Sequence, residues 1–493
     1  MVGCIYHLQG GLPAEGRDYG MLIRGSQRKI LFYFVLLLVS SFLSGSFIKG
    51  AYALTTEEEK KLGKRVLLEI EKSGELVRDL TLQTFVGKVG HSLVDQVGPT
   101  PFEFKFYVVN APDPNAFAIP GGYVFVTTGL LVLADNEQEI AAVLSHEISH
   151  VTRRHISQLI EKSKRLNIAS MVAVLAAMLA GRGGAGSQAG TAMAMATAEA
   201  LALKYTREME TDADQNGLHC MIKAGYDPNG MITFMNKMLR MSLELAPQIP
   251  TYLSTHPETG NRISLLENLL QITQKPSGPF RTIPNFKEIQ VKALVEEREP
   301  HVTVTHFQSL IDANPNHSEG YYGLGLAYRK MGRLDKSTEA FQHAHSLAPK
   351  DFNISRELGI VYFLSGKVDQ AIENLEAIRS TPGADQNNDL SILYYLGRGY
   401  QEKGDFVRAL PLLLKVQKEK PEFIDVYYHL GSVYGRIGQK GLSHFYFGKH
   451  FKLKWERNNA LLHFRTAIDW LERGSPEREE AQREIKELTS PQR

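Results

Sequence analysis

The feature that most constrains the fold of this chain is a repeat in its second half. Leu324-Gly325-Leu-Ala-Tyr328, followed by Gly332, recurs as Leu358-Gly359-Ile-Val-Tyr362 with Gly366. It returns as Leu396-Gly397-Arg-Gly-Tyr400 with Gly404, and as Leu430-Gly431-Ser-Val-Tyr434 with Gly438. The leading glycines are spaced 34, 38 and 34 residues apart. A period of about 34 residues is that of a helix–turn–helix unit, which cannot bury its apolar face alone and must stack on its neighbours. The longer step contains an insertion around Pro382-Gly-Ala-Asp-Gln-Asn-Asn, and Pro315, Pro349 and Pro421 fall between units.

This spacing is that of the tetratricopeptide repeat, so residues 288–493 are expected to form an all-α solenoid. A degenerate unit is expected at about 288–317, and the segment from Phe445 onward closes the stack. The concave face of such a solenoid serves to hold protein segments. Tyr321 and Tyr322, Tyr394 and Tyr395, and Tyr427 and Tyr428 recur as pairs in the first helix of three units, to pack in the core or line that face. Upstream, Gln274-Lys-Pro-Ser-Gly-Pro-Phe-Arg-Thr-Ile-Pro284 is proline-rich and marks a linker over 274–287. Residues 54–273 then make a separate domain.

That domain carries Ala141-Ala-Val-Leu-Ser-His146-Glu147-Ile-Ser-His150. His146 and His150 are four residues apart and share one face of a helix. Two imidazoles so placed can grip one zinc ion, and Glu147 can take a proton from a water on that ion and aim it at a peptide carbonyl. Such a site still lacks a ligand, usually a carboxylate from another helix. Tyr205-Thr-Arg-Glu208-Met-Glu210-Thr-Asp212-Ala-Asp214 offers two pairs at the same spacing, Glu208 with Asp212 and Glu210 with Asp214. Geometry alone does not choose between them. Further on, Thr255 and Glu258 have capping-box spacing before a helix, which accounts for neither His256 nor Arg262. His256 is open as a loop histidine, a donor to the transition-state oxyanion, or a fourth metal ligand. His155 is out of register with His150 and is assigned to the surface.

Around these residues the pattern alternates between helix and strand. Thr55 to about Gly98 reads as helical, Phe102 to Val109 as a strand, and Ala116 to Thr127 as two short strands meeting at Gly121-Gly122. Pro120 argues for an edge position. An open edge suits pairing with an extended peptide; equally, the hairpin could simply cover the core. Asp135 to about Lys164 reads as the helix that carries His146. Residues 166–200 are rich in Ala and Met around a glycine loop, and neither half reaches the ~20 residues needed to span a bilayer. They are expected to form a helical hairpin on the active site, either as plain core or as a lid with peripheral membrane contact.

Together, Asn115-Ala-Phe-Ala-Ile-Pro-Gly-Gly-Tyr-Val-Phe-Val, His146-Glu-Ile-Ser-His150, Arg207-Glu-Met-Glu-Thr-Asp212 and Ser254-Thr-His-Pro through Arg262 resemble the zinc metallopeptidase family of HtpX and the CAAX prenyl endopeptidases. The nearest resemblance is to its periplasmic BepA-type branch, over roughly residues 55 to 270. The resemblance implies a mainly α protein: a gluzincin-type α+β domain with a small β-sheet, ahead of the repeats. It implies one Zn2+ per chain held by His146, His150 and Glu208, with Asp212 in support, and so selects that pair over Glu210 and Asp214. Thr211 departs from the usual alanine. By the same resemblance Glu147 is the general base, His256 an active-site residue, and Asn115, Ala116 and Phe117 the strand that pairs with substrate. Protein substrates and the outer-membrane assembly machinery are the implied partners. The function implied is envelope quality control, or a chaperone role with a latched site.

Arg24, Arg28 and Lys29 precede an apolar run from Ile30 that ends at Ala51-Tyr52-Ala53, the order of a secretory signal peptide or an uncleaved anchor. Met21 is an alternative start of translation in this reading, and either form exports the rest to the periplasm. Cys220 is then the one remaining cysteine, which leaves no intrachain disulfide and reads as a small buried residue. A formal net charge of +2 on 493 residues gives no reason to expect nucleic acid as a partner.

Overall fold

The computed structural model describes residues 54–162, 205–244, 251–257, 259–273, 278–283, 285–380 and 389–490. The expected leader, the 166–200 hairpin, Glu258 and the insertion around Pro382 lie outside the described residues. Among those described, no helix is long and apolar enough to cross a membrane.

The stretch expected as helical from Thr55 forms two helices. α1 (Thr56–Ser73) opens with a reciprocal capping box between Thr55 and Glu58, and Gly74 ends it in the left-handed region. α2 (Leu80–Val94) starts from Asp79, whose side chain accepts from the Leu82 N–H. β1 (Lys105–Val109), β2 (Ala116–Ile119) and β3 (Tyr123–Thr127) follow, in the spatial order β1-β3-β2. β1 runs parallel to β3 and β2 antiparallel to it, so β2 is an edge strand, as Pro120 requires. Gly121 and Gly122 make the turn with positive φ.

α3 (Thr128–Leu133) leads into α4 (Glu137–Thr152), capped by Asn136 and buried along nearly its whole length. A helix shielded on every side lies at the centre of its domain. Around it pack α2, β2, α6 (Arg207–Ala224) and α7 (Asn229–Glu244). The helix expected to run on to Lys164 breaks at Arg154, which takes φ 56°, and α5 (His155–Lys162) starts in a new direction. Short α8 (Thr251–Thr255) and α9 (Thr259–Ile272) complete this part.

α10 (Phe286–Glu297) joins the halves. Phe286, Ile289 and Ala293 enter the first core, while Val291 and Val295 enter the repeat core. Paired helices follow: α11 (Pro300–Ala313), α12 (Ser318–Lys330), α13 (Leu334–Leu347), α14 (Phe352–Leu364), α15 (Val368–Arg379) and α16 (Leu390–Glu402). The stack continues through α17 (Phe406–Glu419), α18 (Ile424–Arg436), α19 (Lys440–Leu453), α20 (Arg457–Trp470) and α21 (Pro476–Thr489). The leading glycine of each unit lies where two helices touch: a Cβ at Gly325, Gly359, Gly397 or Gly431 would strike Phe341, Leu375, Leu413 or Phe447, each sixteen residues later. Of the tyrosine pairs, Tyr322, Tyr394 and Tyr427 are buried, whereas Tyr321 and Tyr395 are partly exposed and Tyr428 is half exposed.

The repeats dock on the first domain through α2. Leu80 sits in the same core as Leu390 and Tyr394. Beside it Lys292, only 4% exposed, reaches Asp79 at 3.0 Å and Glu357 at 2.9 Å, and Glu357 also pairs with Arg329 and Arg356. Burial raises Asp79 and Glu357, but Lys292 and Arg329 together with the Leu82 N–H at Asp79 and Arg356 at Glu357 outweigh it and hold both below the ordinary carboxylate range. Removing one partner of such a cluster strands buried charge, at a cost of about 3–5 kcal/mol. Lys292→Ala should therefore lower the unfolding free energy by about that amount and speed hydrogen exchange at the start of α2. Wild-type exchange there in the variant would contradict the assignment of this seam.

Candidate metal centre

The site is assembled from three segments. α4 supplies His146, Glu147 and His150; α6 supplies Glu210 and Asp214; the residues around α8 and α9 supply His256 and Arg262. All seven are at most 5% exposed. Four donor groups, from His146, His150, Glu210 and His256, lie within 4.8 Å of one another. His146 Nε2 is 2.9 Å from His150 Nε2 and 3.2 Å from His256 Nδ1. The Glu210 carboxylate lies 3.6 Å from His146 Nε2, 3.4 Å from His150 Nε2 and 3.0 Å from His256 Nδ1.

These distances test whether the residues fit a metal. Tetrahedral coordination with bonds of about 2.0–2.1 Å separates the ligand atoms by about 3.3 Å. The five separations scatter around that value, so the donors stand where a zinc ion would hold them. Their protonation agrees. Burial pushes His150 well below its usual range, which leaves the imidazole neutral. Burial would raise Glu210, yet His256, His150 and His146 hold it well below the ordinary range, and so ionised. Glu147 is raised, mainly by burial, and neither of its oxygens has a hydrogen-bond partner. His256 Nε2 lies 3.3 Å from one of them, and the Ala118 N–H of the edge strand faces the same carboxylate.

Glu208 and Asp212, the pair singled out by resemblance, are not at the cluster. Glu208 is exposed in the first turn of α6, while Glu210 faces the histidines. The cause is the side of α6 that packs on α4. Ala213 and Gly217 form that side, and a Cβ on Gly217 would come within 3.2 Å of the His146 nitrogen. Glu210 and Asp214 share the stripe with them at positions i, i+3, i+4 and i+7; Glu208 and Asp212 are turned away from it. The small residues were the signal in the sequence that favours the other pair.

Asp214 lies with Oδ1 2.9 Å from His146 Nδ1, close enough to hold the ring although not squarely aligned with it. Arg262 grips Asp214 with two bonds of 2.7 Å and touches Glu210 at 2.5 Å, so one guanidinium fixes both carboxylates. His155, expected on the surface, is buried. The left-handed turn at Arg154 brings its Nδ1 to 3.0 Å from His150 Nδ1. With His150 Nε2 turned to the cluster, His150 Nδ1–H donates to His155, whose Nε2 is 3.2 Å from Asp212. Arg153 clamps Asp212 at 2.6 and 2.7 Å. Asp212 thus reaches the site only through His155.

Of the three residues expected to pair with substrate, Asn115 and Phe117 are spent within the sheet. The Thr127 N–H donates to the Asn115 carbonyl, Asn115 N–H donates to Thr127 Oγ1, and Phe117 faces Phe125. Alternation along an antiparallel ladder then turns the backbone groups of Ala116 and Ala118 outward. Among the described residues no strand pairs with that edge. Cys220 is buried, with its thiol pushed up to about 12 by burial.

Residues 82–270 match the model of Peptidase family M48, and residues 318–351 that of the tetratricopeptide repeat. Over residues 82–270 the chain is similar to the M48 peptidases. Relatives include the beta-barrel assembly-enhancing proteases of Yersinia pestis, 34% identical over 218 residues, and of Escherichia coli K12, 30% identical over 217. Each match spans 44% of this chain and 44% of the relative. The mitochondrial metalloendopeptidase OMA1 of Schizosaccharomyces pombe is 29% identical over 212 residues, 42% of this chain and 60% of that protein. The chain therefore covers less than two thirds of each of these relatives.

The metal centre makes a sharp prediction about zinc. In a titration of metal-free protein, Glu210→Ala should weaken zinc binding by at least about a hundredfold and Glu208→Ala should leave it unchanged. Asp214→Asn and His155→Phe, which unseat ligand histidines, should each cost about 10- to 100-fold. The opposite order for the two glutamates would reinstate Glu208.

Proposed function

We propose that the chain is an exported zinc endopeptidase that hydrolyses peptide bonds in misfolded or stalled envelope and outer-membrane proteins, with the repeats binding substrate or partner. The observation that carries this reading is the convergence of His146, His150 and Glu210 beside Glu147, whose carboxylate is buried and unpartnered. One zinc ion held by those three residues would polarise a scissile carbonyl and bring the pKa of a bound water to about 7. Glu147, raised by burial, accepts the proton of the attacking water and returns it to the leaving amine. An extended substrate adds to the open edge of β2 through the backbone of Ala116 and Ala118, beside Glu147, which the Ala118 N–H faces. Arg262 holds Glu210 and Asp214 in place throughout.

The relatives' name, beta-barrel assembly-enhancing protease, supports a periplasmic setting and outer-membrane assembly machinery as the partner. A second reading, a chaperone or assembly factor with a latched site, is favoured by His256. Its Nδ1 stands 3.2 Å from His146 Nε2 and 3.0 Å from Glu210, in the place of a fourth ligand.

Cleavage of an unfolded, non-specific substrate such as casein separates these readings. Wild type should cleave it, and Glu147→Gln should retain zinc but lose at least about a hundredfold in rate. His256→Ala should raise cleavage if the histidine latches the site and lower it if the histidine serves the reaction. Unchanged cleavage and metal content in His256→Ala would remove it from both roles, and zinc-loaded wild type that never cleaves would leave only the second reading.

A further inference from the structure

The backbone turn that carries His155 to the metal centre is held from a distant part of the chain. α4 ends at its cap Arg153, and Arg154 follows with φ 56°, its N–H on the Val151 carbonyl at 3.0 Å. Just past a helix end, in the left-handed region, glycine is the usual residue, because a Cβ there crowds the backbone. An arginine left to itself favours negative φ. His155 would then lose its place beside His150, since the register of an unbroken helix sets the two rings apart.

What holds Arg154 is the first turn of α1. Glu59 is 2% exposed, and its Oε1 accepts from Arg154 Nε at 2.6 Å and from Nη2 as well. Arg154 Nη2 also donates to the Leu54 carbonyl. A buried carboxylate demands a cation, and a grip by two nitrogens fixes the direction of the guanidinium. α1 is itself firmly seated. The capping box of Thr55 and Glu58 orders the turn that carries Glu59. One turn on, a Cβ at Gly63 would strike the Pro120 carbonyl, so the helix lies directly on the turn between β2 and β3. Glu59 is therefore a fixed point to which the left-handed residue is tied.

We propose that Glu59 is a positioning residue for the metal centre: by clamping Arg154 it keeps the left-handed turn that seats His155 on His150. Neither Glu59 nor Arg154 is among the four clustered donors, so the effect on zinc passes through the backbone at Arg154 and the ring of His155. This role rests on His146, His150 and Glu210 holding the ion.

Competition with a chelator on the full chain tests it, reading zinc affinity rather than cleavage. Glu59→Ala, which removes the clamp, should weaken zinc about tenfold, as for other groups that support a ligand from behind. Adding Arg154→Gly to Glu59→Ala should recover most of that loss, because glycine takes positive φ without a clamp. Adding Arg154→Ala instead should recover nothing, since alanine keeps the Cβ that disfavours the turn. Both double variants lack the ion pair, so a salt bridge with a merely structural role would leave them equal. Glu59→Ala should also add little to the loss in His155→Phe, because the two act along one path. If Glu59→Ala is too unstable to purify, the same comparisons are made on Glu59→Gln, which keeps the volume. Unchanged affinity on removing the clamp, equal affinity of the glycine and alanine variants, or full additivity with His155→Phe would each overturn the role of Glu59 and leave the metal centre standing. No zinc bound by wild type, or no loss in Glu210→Ala, would sink the metal centre and the role of Glu59 with it.

Discussion

The metal centre depends on how closely α6 can approach α4. Ala213 and Gly217 let the two helices touch near Ser145 and His146, and that contact fixes which face of α6 looks at the imidazoles. Once it is made, three carboxylates are brought into one buried space, Glu147, Glu210 and Asp214. Arg262 offsets part of that negative charge, and the imidazoles face the rest in a medium where unpaired charge is very costly. A divalent cation between the imidazoles would be well matched to that acidic setting. The same constraint thus selects the ligand and orients His146 through Asp214.

The most regular features of the fold were plain in the sequence. The repeat glycines were readable because each fills a helix–helix contact that admits no side chain, and the histidine pair because its spacing matches a helical turn. Pro120 correctly marked an edge strand. The choice between Glu208 and Glu210 was not settled by spacing, since both have an aspartate four residues on; it required knowing that Ala213 and Gly217 face a neighbour. His155 was missed for another reason. Helical register places it away from His150, and only the left-handed backbone at Arg154 swings it back, a conformation that an arginine does not announce.

The two halves are bound together more tightly than a linker between separate modules would suggest. α10 gives side chains to both cores, and Lys292 ties α2 to the inner helices of the repeats through buried acids. Part of the surface that a solenoid normally offers to partners is thus covered by the chain's own first domain. What is left at the seam is a small cavity lined by side chains of both halves. The helix that carries this seam, α2, also packs directly on α4.

The most direct test is a crystal structure of the zinc-loaded protein with anomalous data collected at the zinc edge. The account predicts a single ion bonded to His146, His150 and Glu210 at about 2.0–2.2 Å, with Asp214 still on the far nitrogen of His146 and Glu208 in solvent. An ion bonded to Glu208, or one located away from the two histidines, would contradict it.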